Sequence, residues 1–338
     1  MTRKIGASPI NSNVIRREKK RLLEPHQLRH YSERMPGHYN VSEHNRTGSG
    51  NYHQALPRCL VSLRSSGGRP PLFCVHPSGG DIGIYRKLAR KIHRFHPVIA
   101  IESRMIGTDI EEFSSIELMS GYYEKLIEQY HPSGPIQLFG FSFGGFVATA
   151  IANRLHRSHR EVSFLGLVDS DIRWIKANDM SRRELNIRLH QLSRKFQEIG
   201  IFNPTPDSKV ETDVKEIVEN CFESSEISPV DLMQDLQSRG YTNSENPHAN
   251  LLCQFIARFL THCKLLKNFD AGRIEVPMKL WWPTDPASDP ISRRRAWQKH
   301  AVHEIEEYQL KGSHYSIMRM PTLNKLSGQI NNSLLQSS

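Results

Sequence analysis

Short, wholly apolar runs alternate with stretches of helical periodicity along most of this chain. The runs at 72–75, 98–101 and 162–168 have the length and composition of strands buried on both faces. Between them lie a helix over 82–93 and another over about 114–130, the latter with Ile116, Met119, Tyr122, Tyr123, Leu126, Ile127 and Tyr130 on one face. A shorter strand over 59–63 precedes the series. This rhythm predicts an α/β fold with a mostly parallel, doubly wound sheet and helices on both faces. From about 172 to 272 the strand rhythm stops, and 180–199, 229–239 and 249–268 carry apolar residues at helical spacing. The sheet resumes over 276–282 and 304–310, with a helix near 293–300 between them and an amphipathic helix over 321–335 at the end.

The centre of the pattern is the apolar run from Ile136 that ends in Gly140-Phe141-Ser142-Phe143-Gly144 and continues through Gly145 as a helix-forming segment. A Gly-x-Ser-x-Gly between strand and helix is a nucleophile elbow, which holds the serine in a strained conformation and lifts its hydroxyl above the sheet. Gly140, Gly144 and Gly145 are expected where a Cβ would clash as strand and helix close on each other. The helix start offers free N–H groups to an oxyanion.

Other strand ends carry further candidate chemistry, and in open α/β sheets ligands collect at that edge. The strand at 72–75 runs into His76-Pro77-Ser78-Gly79-Gly80, a loop whose backbone can supply an oxyanion N–H or simply turn the chain. Asp169 ends the strand at 162–168, and Asp285 follows the strand at 276–282 between Pro283 and Pro286. A strand-end aspartate also serves as a loop residue or N-cap, and flanking prolines suit a rigid turn. His314 lies on a Gly-Ser loop just after the last strand, placed to reach over the sheet edge toward Ser142.

Charge and composition change the picture mainly at the N-terminus. Net charge is +10 over 338 residues, and residues 1–50 hold ten Lys and Arg against four Glu. Residues 1–56 lack a sustained apolar period and read as a basic, disordered extension. The cluster Arg16-Arg17-Glu18-Lys19-Lys20-Arg21 has no interleaved aromatics and no nucleic-acid-binding module after it, so a solvated charge run is favoured over a nucleic-acid arm. No run approaches the roughly 20 apolar residues of a membrane span, and no apolar stretch follows the first residues, so a cytoplasmic location is expected. Five cysteines without paired spacing read as reduced thiols rather than a disulfide framework or zinc site.

Serine, acid, histidine is the chain order of the α/β-hydrolase triad. The segments 70–80, Gly140 to Gly145, Leu167-Val168-Asp169-Ser170 and Gly312-Ser313-His314-Tyr315 together resemble the thioesterase domains of nonribosomal peptide and polyketide synthases, over about residues 57–335. The resemblance implies an α/β-hydrolase fold with 172–272 as a helical lid. It implies Ser142 as nucleophile, Asp169 as triad acid, His314 as base, and the Ser78 and Phe143 N–H groups as oxyanion donors. Asp285 remains the alternative acid, at the position used by most α/β-hydrolases. The implied partner is an acyl or peptidyl carrier protein whose phosphopantetheine bears the substrate, and no metal or cofactor of the protein's own is implied. No carrier domain precedes the domain, so a free-standing enzyme acting in trans is expected. Carrier proteins are typically acidic, which makes Arg182, Arg183 and Arg188 and the cluster Arg293-Arg294-Arg295 candidate docking surfaces. Two other readings stay open: a carboxylesterase or lipase on small esters, and a degenerate hydrolase that works as a binding protein.

Overall fold

Residues in β-conformation alternate their side chains between two faces, and here each face has its own apolar layer to meet. The computed structural model describes residues 59–103, 113–173, 216, 229–239, 247–284, 290–314 and 316–336. The basic segment 1–56, the helix expected over 180–199 with Arg182, Arg183 and Arg188, and Asp285 lie outside the described residues.

Strands β1 (Leu60–Arg64), β2 (Leu72–Val75), β3 (Val98–Ile101), β4 (Ile136–Phe141), β5 (Val162–Val168), β6 (Met278–Pro283) and β7 (Glu306–Leu310) form one sheet in the order β1-β3-β2-β4-β5-β6-β7. Only the β1–β3 pairing is antiparallel; the others are parallel. On one face Phe73, Val75, Ile99, Ile101, Leu138, Leu165 and Leu280 pack with helices α2 (Ile116–Tyr130) and α3 (Phe143–Arg157). On the other, Leu72, Cys74, Val98, Phe139, Phe164 and Trp281 meet α1 (Tyr85–Ala89) and α7 (Thr322–Gln336). The expected mostly parallel sheet with helices on both faces is what the chain forms.

Within the interval 172–272, α4 (Pro229–Ser238) and α5 (Pro247–Lys267) are helical. Helix α6 (Pro290–Gln298) joins β6 to β7. The expected helix over 82–93 is shorter, confined to Tyr85–Ala89.

The strand order reverses at β2: the chain leaves it for β3 on one side and returns to β4 on the other. Loops from β2 and β4 therefore diverge at their C-terminal ends and leave a crevice there. Tyr85 ties the two strands together at that point. Its hydroxyl donates to the Val75 carbonyl at 2.5 Å and accepts from the Phe141 N–H at 3.0 Å.

The elbow glycines are required by close approach, though not all by the contact expected. A Cβ on Gly140 would strike the backbone of Gly144 and Gly145, where strand and helix close on each other. On Gly144 it would be driven into the carbonyl oxygens of Val75 and His76, which belong to the neighbouring β2 and its loop. Carbonyl oxygens on a paired strand cannot swing aside as the end of a long side chain can. Gly144→Ala is therefore expected to lower unfolding free energy by about 1–3 kcal/mol, the usual range for overpacking, measured by urea denaturation against Gly328→Ala, whose added Cβ meets nothing within 4 Å.

Candidate active site

Ser142 joins β4 to α3 with φ 57° and ψ −124°, a conformation L-residues rarely adopt. Neighbouring backbone holds it there. The Ser142 N–H donates to the Val168 carbonyl at 2.8 Å, and its own carbonyl accepts from the Gly145 N–H at 3.0 Å and the Ser170 hydroxyl at 2.7 Å. Phe143, the next residue, opens α3.

Asp169 follows β5, also at positive φ (46°), and its N–H donates to the Trp281 carbonyl at 2.9 Å, extending the pairing with β6. The carboxyl group is buried, with Oδ2 accepting from His314 Nδ1 at 2.7 Å. Donation from Nδ1 leaves Nε2 as the basic nitrogen of a neutral ring. The His314 ring lies 4.7 Å from that of Phe141, the residue immediately before Ser142. Asp169 and His314 are thus brought together from positions 145 residues apart in the chain, beside the elbow.

Arg293 departs from the docking surface expected of it. It is buried, with Nη1 3.6 Å from Asp169 Oδ1 and Nε 3.0 Å from Asp171 Oδ2, and its guanidinium lies over the Trp282 ring at 5.2 Å. Asp171, fully buried, is also forked by Arg173 at 2.7 Å. A buried carboxyl group needs such partners because desolvation otherwise disfavours its charge. Arginine here completes the interior behind Asp169, while Arg294 pairs at the surface with Glu304. Trp297 on the same helix donates to the Ser170 carbonyl at 2.7 Å, fixing α6 to the loop after β5.

The loop after β2 lies against the start of α3, where the His76 ring stacks on Phe143 at 5.8 Å. Its Pro77 carbonyl accepts from the Gly80 N–H at 2.8 Å and pairs with His76 Nδ1 at 2.9 Å, and His76 Nε2 meets the Tyr123 hydroxyl at 2.8 Å. From α5, His262 places Nδ1 2.7 Å from the Ser78 carbonyl. The His262 ring stacks on Phe143 at 4.7 Å and on His76 at 4.9 Å. Ser78 and Phe143, distant in sequence, therefore share a neighbour that the sequence did not tie to either. Burial pushes the His76 pKa down from 6.5 to about 4, outweighing its hydrogen bond to Pro77, with the Arg258 charge adding to the drop. His262 is held well below 6.5 by burial, with His76 and Arg258 contributing.

The fold is that of the α/β-hydrolases. Residues 70–334 match the model of the Thioesterase domain family, and the chain belongs to that family. It is 40% identical over 111 residues to the dimodular nonribosomal peptide synthase of Bacillus subtilis (strain 168), a match covering 33% of this chain and 5% of that protein. The nonribosomal peptide synthetase pngA of Aspergillus terreus (strain NIH 2624 / FGSC A1156) is 37% identical over 110 residues, covering 32% of this chain and 12% of that protein. The matches thus span a small fraction of these relatives' length. Among solved structures, the NocB thioesterase domain from the nocardicin cluster superposes with a TM-score of 0.57 at 19% identity, covering 82% of this chain and 99% of that one. Holo-AB3403, a four-domain nonribosomal peptide synthetase bound to AMP and glycine, gives 0.61 at 20% identity, covering 82% of this chain and 20% of that one. These structural likenesses establish the fold.

The buried histidines make acid stability a test of the site's interior. Folded His76 stays neutral down to about pH 4, whereas the unfolded residue takes up a proton near 6.5. The unfolded chain therefore binds more protons in that window, and stability is lost as pH falls through it. Urea unfolding should show a loss of stability as pH falls from about 6.5 to about 4, and His76→Gln should flatten that slope.

Proposed function

We propose that the protein is a serine thioesterase that releases an acyl, polyketide or peptidyl chain from the phosphopantetheine of a carrier protein through an acyl-Ser142 intermediate. The observation that carries this reading is the 2.7 Å contact of His314 Nδ1 with Asp169, beside a serine held at positive φ between β4 and α3. Membership of the thioesterase family and the synthase relatives support the substrate class.

In this reading, His314 Nε2 takes the Ser142 proton as Oγ attacks the thioester carbonyl. Asp169 holds the imidazole in the tautomer that leaves Nε2 basic and stabilises the imidazolium that forms. The Ser78 and Phe143 N–H groups receive the oxyanion, one from the loop after β2 and one from the start of α3. Collapse of the tetrahedral intermediate breaks the C–S bond, and His314 returns its proton to the departing thiol. Water, or a nucleophile within the chain, then attacks the acyl-serine, giving hydrolysis or cyclisation. No metal or cofactor of the protein's own takes part. Residues 172–272 serve as the lid that shapes the acyl pocket and controls water. The carrier protein acts from the crevice side, and the cytoplasm is the proposed location; among the described residues no helix is long and apolar enough to cross a membrane.

A fluorophosphonate probe should label Ser142 rapidly and Ser142→Ala not at all, read by intact mass and peptide mapping. Label mapped to another residue would overturn the assignment. Asp169→Asn should fold normally and lose turnover by roughly 10⁴-fold, as expected for an acid that orients and stabilises histidine. Asp285→Asn should leave turnover largely intact. The reverse pattern would move the acid to Asp285.

A further inference from the structure

His262 is a buried histidine on α5 with contacts to both sides of the crevice. Its Nδ1 lies 2.7 Å from the Ser78 carbonyl oxygen. A carbonyl accepts only, so Nδ1 carries the proton and Nε2 is left as an acceptor, facing the Ser103 hydroxyl at 3.5 Å. His76 makes the equivalent bond one residue earlier, to the Pro77 carbonyl.

The consequence follows from peptide planarity, because fixing a carbonyl fixes the direction of the N–H across the same bond. The clamp on Pro77 oxygen sets the Ser78 N–H, and the clamp on Ser78 oxygen sets the plane that follows. Ser78 thus sits between two held peptide planes. The His262 ring also lies nearly parallel to Phe143, 10° between planes, and stacks on His76 within 24°. One side chain therefore restrains the loop through a hydrogen bond and packs on the first residue of α3. We propose that His262 is a positioning residue that holds the Ser78 loop in register with Phe143, so that the two oxyanion N–H groups converge on one point. The inference rests on the thioesterase reading above. Protonation would put a charge in a desolvated stack, consistent with the neutral state that burial imposes on both histidines.

The side chains that separate the hydrogen bond from packing are Asn and Gln. Asn carries its amide nitrogen on Cγ, where His carries Nδ1, and Gln carries it one carbon further out. Both lose the ring, so a packing loss falls on both. With an acyl thioester of N-acetylcysteamine, His262→Asn should keep kcat at least about tenfold above His262→Gln, with KM within roughly twofold, since a misplaced oxyanion donor weakens the transition state rather than substrate binding. His262→Phe keeps a ring without the donor and should also lose kcat at unchanged KM; it carries the test if the ring-less variants do not fold. Equal kcat in the Asn and Gln variants, or wild-type kcat in His262→Phe, would overturn the positioning role while wild-type turnover and Ser142 labelling leave the thioesterase reading standing. Wild-type protein that neither turns over the thioester nor takes label at Ser142 would overturn both.

Discussion

The backbone of Ser142 is strained, and the surrounding structure is arranged to hold that strain. A non-glycine residue in a sparsely populated region costs about 1–3 kcal/mol and persists only when its neighbours over-determine it. Here the neighbours are the Val168 carbonyl, the Ser170 hydroxyl and the Gly145 N–H, all bound to Ser142's own peptide groups. For these to reach, α3 must descend onto the ends of β2, β4 and β5, and this descent leaves no room for a Cβ at Gly140 or Gly144. The position of the proposed nucleophile, the start of the helix that faces it and the packing of three central strands are thus one constraint.

The same end of the sheet concentrates buried polar groups, each partnered in a way that suits its chemistry. Asp169 and Asp171 lie on one short loop, with Arg293 reaching both and Arg173 forking the second. Buried charges are tolerated when such partners offset desolvation, and removing one partner costs more than the pair contributes. On the opposite wall, the buried histidines are neutral and act through hydrogen bonds. His76 and His262 each hold a loop carbonyl and stack on each other, with His262 also against Phe143. A neutral donor suits that wall because burial disfavours a charged imidazole and the nearby Arg258 cation adds to that effect.

Much of this was legible in the chain because it depends on local pattern. Apolar runs of strand length followed by glycine mark strand ends, and the ends of parallel strands lie together, so Ser142, Asp169 and the loop at Ser78 could be read as neighbours from order alone. His314 was legible for the same reason. What escaped were contacts made by side chains on helices. Arg293 sits in a run of three arginines that reads as a docking surface, yet the first of them turns inward, where two buried carboxyl groups lie within reach of it. His262 lies in a helix with no motif around it, and only the packing of α5 over the crevice brings it to Ser78 and Phe143. Tyr85 bridges β2 and β4 through its hydroxyl, and no motif around it marks that role.

The sequence by itself determined the alternation of strand and helix, the elbow and its glycines, and the set of strand ends from which a site must be drawn, because hydrophobic period and backbone freedom are properties of adjacent residues. Tertiary structure alone decided which arginine is interior and which histidine reaches the loop after β2. Those outcomes depend on distances between residues more than a hundred positions apart, set by how helices pack on the two faces of the sheet, and a single chain carries no local signal for them.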